Sequence, residues 1–97
     1  MKIMSFNCRG LVGPQKRSAF KRVVFLEHPN VIMLQETLGV GDVVKECLES
    51  WLSGWVFVTL DSRGCSGGIV VGWNERSVKA LSSWRMESML VLKFLAL

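Results

Sequence analysis

The sequence has no tyrosine, a single histidine (His28) and only three cysteines, Cys8, Cys47 and Cys65. The cysteines are odd in number, widely separated and never form a C-x-x-C pair. That argues against a disulfide framework or a zinc site and suits a reducing compartment. No apolar run approaches the ~20 residues needed to cross a bilayer, so no membrane partner is expected. Met1 to Phe6 carries Lys2 but is too short for a signal peptide, and Asn7 and Arg9 interrupt it. A soluble intracellular domain is the expectation. The glycine cluster after Asp61 is not followed by Gly-Lys-Ser/Thr, so it is not a Walker phosphate loop.

What is present is a chain of 97 residues, nearly half of them apolar, with charges of mixed sign, a composition that argues against disorder. The length supports one domain, residues 1–97, and not two. A chain of this size buries roughly 60–65% of its unfolded surface, which permits a real core with a thin stability margin. The net charge of +4 is compatible with a phosphate-rich partner. Apart from Lys16, Arg17, Lys21 and Arg22, however, the basic residues are scattered, so charge alone says little about nucleic acid.

Lys2 to Phe6 (KIMSF) has the length of a short strand and stops at NCRGLVGP, which is rich in loop formers. Pro14 suits a helix start. Ala19, Phe20, Val23, Val24 and Glu27 then fall at helical spacing, with Lys16, Arg17, Lys21 and Arg22 on the wet face. His28-Pro29 ends that helix, because proline disfavours the α region for the residue before it. Val31 to Gln35 reads as a strand, and about Asp42 to Leu52 as a helix with Val44, Cys47, Leu48, Trp51 and Leu52 on one face, closed by Gly54. Trp55 to Leu60 and Ile69 to Trp73 read as strands flanking the turn cluster DSRGCSGG. Asn74-Glu75-Arg76 is a turn into Val78 to Ser82, and a last strand runs from about Met86 to Phe94. The pattern β-α-β-α followed by β-hairpins predicts a mixed α/β (α+β) sheet with helices covering one face. The apolar LVLKFLAL at the end calls for a neighbouring element, or else tucks in as an edge strand.

The segment VIMLQET carries the chemistry. Side chains alternate faces along a strand, so Ile32, Leu34 and Glu36 share one face and Val31, Met33 and Gln35 the other. In KIMSFN, Ile3, Ser5 and Asn7 share a face. If the β-α-β crossover makes these strands parallel neighbours, Asn7 and Glu36 meet at one rim, at the carboxyl ends where open α/β sheets place ligands. One carboxylate beside an amide suits Mg²⁺, which keeps several waters and is held by one or two carboxylates plus substrate phosphate. Zinc would want His or Cys, and His28 lies at the other end of the strand. The plainer reading is that Glu36 begins a surface loop and Asn7 stabilises a turn.

MKIMSFNCRG, followed some twenty residues later by PNVIMLQET, resembles the opening of the endonuclease/exonuclease/phosphatase superfamily: a strand ending in Asn, a helix, and a strand ending in Gln-Glu. SRGCSGGIVVGWN resembles the Gly-Ser-Gly turn leading into that family's next core strand. The details NCRGL, QETL and CSGG most resemble the endonuclease regions of plant non-LTR (LINE-type) retroelement proteins. The resemblance implies the N-terminal portion of a two-sheet α/β sandwich. It implies that Glu36 is the carboxylate that binds a divalent metal, Mg²⁺ or Mn²⁺, and that Asn7 helps orient the metal site and the scissile phosphate. It further implies metal-assisted hydrolysis of a phosphodiester or phosphomonoester, with DNA as the partner and the nucleus as a candidate compartment. The water in such chemistry is activated by an Asp–His pair.

Measured against that family, much is missing. The active-site Tyr and the Asp-x-Asn pair have no counterpart, Asp42 and Asp61 sit in other contexts, and there is no Ser-Asp-His motif. Asn30 stands where an Asp is common, and Gly64-Cys65-Ser66-Gly67 replaces Gly-Tyr-Ser-Gly. The expectation is a truncated, Mg-dependent, endonuclease-like phosphodiesterase domain that is inactive alone, with its metal weakly held and with self-association through an uncovered sheet. Alternatives are a non-catalytic nucleic-acid-binding or vestigial fragment, and a phosphatase of the same superfamily. Three rival sites are weaker. Ser66 in GCSGG fits a nucleophile elbow, but a strand rather than a helix follows it and no histidine comes after. Cys8 and His28 flank opposite ends of the strands, which leaves Cys8 an inert thiol. Trp51, Trp55, Trp73 and Trp84 could stack on bases, but core packing accounts for them better.

Overall fold

The computed structural model describes residues 1–9, 14–37, 41–61, 68–86 and 89–97. The elements are β1 (Ile3–Asn7), α1 (Pro14–Glu27), β2 (Val31–Gln35), α2 (Gly41–Trp51), β3 (Trp55–Leu60), β4 (Ile69–Asn74), β5 (Val78–Met86) and β6 (Met89–Ala96). The first four strands form one sheet in the order β1-β2-β4-β3, and β5 and β6 form a two-stranded sheet. β1 and β2 are parallel and joined by the α1 crossover, whereas β4 runs antiparallel to both β2 and β3.

The parity of the strands decides what each face meets. Ile32, Leu34, Phe57 and Val70 turn to the helices, where they pack with Phe20 of α1 and Val44 and Leu48 of α2. Val31, Val71 and Trp73 turn the other way and pack with Val78, Leu90, Leu92 and Phe94 of the hairpin. Helices therefore cover one face and the β5–β6 hairpin part of the other. Three of the tryptophans are packing residues: Trp51 lies 5.8 Å from the Phe20 ring, Trp55 stacks on Phe57, and Trp73 meets Phe94 edge-on. Trp84 is 55% exposed on the outer side of the hairpin.

One glycine is required by this packing. Gly72 pairs with Phe57 across β3 and β4, and a Cβ there would lie inside the van der Waals radius of the Phe57 ring. The aromatic ring occupies the space that the missing side chain leaves.

Several boundaries differ from the sequence expectations. The first strand is displaced by one residue, so Asn7 is its last member rather than the first loop residue. β5 runs on to Met86 instead of stopping at Ser82, because Ser82 and Ser83 pair with Lys93 and Leu92. Met86 thus belongs to β5, and the last strand begins at Met89. α1 buries less than its spacing suggested: Phe20 is buried, but Ala19 is exposed and Val23 is 40% exposed. The helix overhangs β1, and β1 is the edge of its sheet.

Candidate functional site

The parallel register pairs Asn7 with Gln35, and the Cys8 amide donates to the Gln35 carbonyl at 2.9 Å. Asn7 and Glu36 therefore lie at the same end of the parallel strand pair, although the register puts the Asn7 side chain on the face of Gln35, opposite to the face that alternation assigns to Glu36. The Asn7 Oδ1 accepts from the Arg9 N–H at 3.1 Å, which closes a tight Asx turn and fixes the amide. Below it, the Gln35 Nε2 donates to the Ser5 Oγ at 3.0 Å and ties the two strands together. Thr37, just past Glu36, is buried, and its N–H points to the Gly68 carbonyl at 3.5 Å.

Two residues of this rim have a backbone that L-amino acids seldom adopt. Arg9 has φ 49° and Glu36 has φ 54°. Left-handed conformations of non-glycine residues carry a strain cost, and they collect at ligand and catalytic sites. At Glu36 the left-handed turn also ends the strand alternation, so the exposed carboxylate is not committed to the helix-covered face.

A residue assigned to the solvated face takes part here. The Lys16 Nζ donates to the carbonyls of Cys8 at 2.9 Å and Arg9 at 2.8 Å, so its ammonium fastens the segment after β1 to α1. Its signal in the sequence was position: a lysine in the first turn of the helix that follows the Asn7 loop has a stem long enough to reach back. Burial pushes the Cys8 thiol above its ordinary range, and the nearby Lys16 ammonium offsets only part of that rise. A thiol shifted in this direction is a poor nucleophile.

His28 lies at the opposite end of the crossover. It follows α1 with φ 48°, its N–H closes onto the Val24 carbonyl, and its ring meets Phe25. The same end holds Asn30, whose Oδ1 accepts the Lys2 N–H at 2.7 Å and whose carbonyl accepts the Asn74 N–H at 3.0 Å. Asn30 is thus a structural joint between β1 and β4. Cys65 and Ser66 of the GCSGG cluster lie outside the described residues, as do the two residues between β5 and β6.

The donors at the rim are a carboxylate and an amide oxygen, which fit a hard cation such as Mg²⁺ or Mn²⁺ in kind and exclude a thiolate–imidazole site. The set is partial. Among the described residues no three His, Cys, Asp or Glu side chains converge as a metal-binding group.

No protein-family model matches the sequence, and no curated protein matches it. Solved structures do. D. rerio TDP2 humanized by 14 mutations superposes on 97% of this chain with a TM-score of 0.65 and 23% identity. AP endonuclease LMAP from Leishmania major superposes on 78% with a TM-score of 0.56 and 25% identity. The chain has part of the endonuclease/exonuclease/phosphatase fold. It spans 41% of the TDP2 chain and 26% of the AP endonuclease chain, so the α/β sandwich is represented here in part: one four-stranded sheet with its two helices, and a two-stranded sheet.

Proposed function

We propose that the chain is the N-terminal part of a Mg²⁺-dependent, endonuclease-like phosphodiesterase domain acting on DNA, of the kind found in LINE-type retroelement proteins, and that it is catalytically incomplete alone. The observation that carries this reading is the β1–β2 register, which brings Asn7 and Glu36 to one rim of a fold shared with an AP endonuclease. A bound Mg²⁺ supplies neutralisation of charge developing on a phosphodiester. Glu36 contributes the formal charge that holds the cation. Asn7, fixed through its oxygen by Arg9, keeps its amide nitrogen to donate to a phosphate oxygen. Lys16 holds the segment that carries both Asn7's turn and the rim. The only histidine lies at the far end of the crossover, so it is not placed to activate water at this rim.

Two measurements test this. NMR titration with Mn²⁺ is expected to broaden signals around Glu36 and Asn7, with affinity in the millimolar range (on the order of one carboxylate's contribution to a hard-cation site). Broadening should vanish in Glu36→Gln, which is nearly isosteric, and persist in Asp42→Asn. Diffuse broadening over all exposed acids, or persistence in Glu36→Gln, would make Glu36 an ordinary loop residue. In the second, the chain is expected to leave abasic-site plasmid uncut with Mg²⁺, since acid–base groups alone are worth roughly 10²–10⁴-fold. Turnover that survives rigorous purification would overturn the incompleteness.

A further inference from the structure

Helix α1 carries its charge in an arrangement that works against the helix. Lys16, Arg17, Lys21 and Arg22 crowd its N-terminal half, and its first turn holds no acid. Cations near a helix N-terminus oppose the macrodipole, and like charges four residues apart, as at Arg17 and Lys21, repel. Lys16 fastens the segment after β1. The other three serve no contact in the fold: among the described residues Arg17, Lys21 and Arg22 form no salt bridge or side-chain hydrogen bond, and the helix's one acid, Glu27, is held by Lys2.

The same flank ends in an exposed aromatic pair. Arg17, Lys21 and Phe25 follow one another at i, i+4 and i+8, a single ridge of about 12 Å along the helix, with Arg22 on the adjoining row. His28, one residue beyond the helix, sets its ring 6.1 Å from that of Phe25. All five side chains are exposed, and Phe25, at 73%, is the most exposed phenylalanine or tryptophan in the chain. The ridge starts beside Lys16, whose ammonium touches the rim segment, and runs to the far end of the crossover.

We propose that this ridge is an accessory site for single-stranded nucleic acid, in which Arg17, Lys21 and Arg22 take backbone phosphates and Phe25, with His28 beside it, takes an unpaired base. The site lies apart from the metal rim and needs no metal. Charge decides the class of occupant. Three cations without partners call for a polyanion, whereas covering them with a further protein layer would bury charges that nothing on this chain pairs. The exposed ring decides the kind of polyanion. An aromatic beside cations is what unpaired bases stack on, while the bases of a duplex already stack on each other.

A lipid surface fits the ridge poorly. An interfacial helix gathers its apolar residues on the face opposite its cations and lays that face in the lipid. Here Ala19 and Val23 line a groove of about 450 Å³ beside β1, and Leu26 continues that flank. Phe25 alone would enter the lipid alongside the cations.

The test is fluorescence anisotropy of a short labelled oligothymidylate with the full chain in EDTA, across a range of salt. Binding is expected, with log K falling against log salt at a slope of about −2, about 0.7 for each of three phosphates. The triple variant Arg17→Gln, Lys21→Gln, Arg22→Gln should weaken binding at least tenfold and flatten the slope. Its helical circular dichroism should be kept and its thermal midpoint be no lower, because the repulsion leaves with the charges. Phe25→Ala should weaken binding about fivefold or more and keep the slope. Lys79→Gln with Lys93→Gln, on the hairpin, should leave binding within twofold. Glu36→Gln, which removes the charge of the metal rim, should leave it unchanged, so this site and the rim fail or stand separately. No binding, binding that the triple variant or Phe25→Ala leaves intact, a duplex that binds more tightly than the single strand, or displacement of the oligonucleotide by phosphatidylserine vesicles would overturn the proposal.

Discussion

Replacing Glu36 by glycine should make the protein more stable, although it removes the residue on which the proposed activity depends. Glu36 is exposed, sits at φ 54° and makes no hydrogen bond or ion pair to the described residues. Its side chain therefore gives little to the fold, while a left-handed L-residue costs about 1–2 kcal/mol. Glycine relieves that cost but adds about 0.5–1 kcal/mol of unfolded-state entropy. The balance is a gain of about 0.5–1 kcal/mol for Glu36→Gly. Glu36→Gln keeps the same backbone demand and should change stability by less than about 0.3 kcal/mol, within the range of ordinary surface substitutions. For a domain of this size the gain corresponds to a rise in midpoint of about 2–8 °C, readable by tryptophan fluorescence and circular dichroism in thermal and urea unfolding. Glu36→Gly should at the same time lose the Mn²⁺ broadening centred on Asn7. The reasoning fails if Glu36→Gly destabilises by about 1 kcal/mol or more, since the carboxylate would then be holding structure. It also fails if Glu36→Gln stabilises as much as glycine does, since charge and not backbone strain would be the cause.

Two further outcomes follow from the packing. Gly72→Ala should cost about 1–3 kcal/mol, the usual penalty for overpacking a close-fitted site, because the Phe57 ring it displaces is fully buried; in urea unfolding Phe57→Leu should then recover part of the loss, and strict additivity of the two changes would contradict the contact. Burial raises the Cys8 thiol above its ordinary range, about 8.5 for a free thiol. The neutral form is thus favoured in the folded state, so stability is full below about pH 8.5 and declines as pH rises through the unfolded value towards the raised folded one. That alkaline decline, followed by urea midpoints across pH, should flatten in Cys8→Ala, and an unchanged profile would show that the thiol does not contribute.

The legible parts of this fold were those fixed by local periodicity and punctuation. Val31–Gln35 and Trp55–Leu60 have the bounds their apolar runs suggested, and α1 starts at Pro14 and ends before His28-Pro29. Proline geometry acts on its immediate neighbours, so those limits need no tertiary knowledge. Where β5 and β6 were misjudged, the deciding interaction was a partner strand: Ser82-Ser83 resembles a strand end until Lys93 and Leu92 pair with it. Ala19 and Val23 failed differently. Helical spacing identifies an apolar stripe but not what lies opposite it, and here the stripe overhangs a sheet edge. A parallel crossover suffices to bring the ends of β1 and β2, and with them Asn7 and Glu36, to one side of the sheet, but parity alone sets their side chains on opposite faces, since Asn7 pairs with Gln35. The left-handed turn at Glu36 was not, since nothing in the identity of a glutamate announces a positive φ.

The site and the open edge are consequences of one arrangement. β1 is short, parallel to β2, and ends in Asn7, so the residue at the rim is also the last residue of the sheet edge. Its side chain is fixed by the Arg9 N–H. Lys16 fastens the segment just beyond, from a helix whose opposite end is tied to β1 by Lys2–Glu27. Strand and helix are therefore clamped at both ends, and the groove between them keeps its shape without a strand beside it. The exposure of Ala19, Val23 and Leu26 is accordingly a feature of the clamped geometry, and not a sign that the helix is loosely attached.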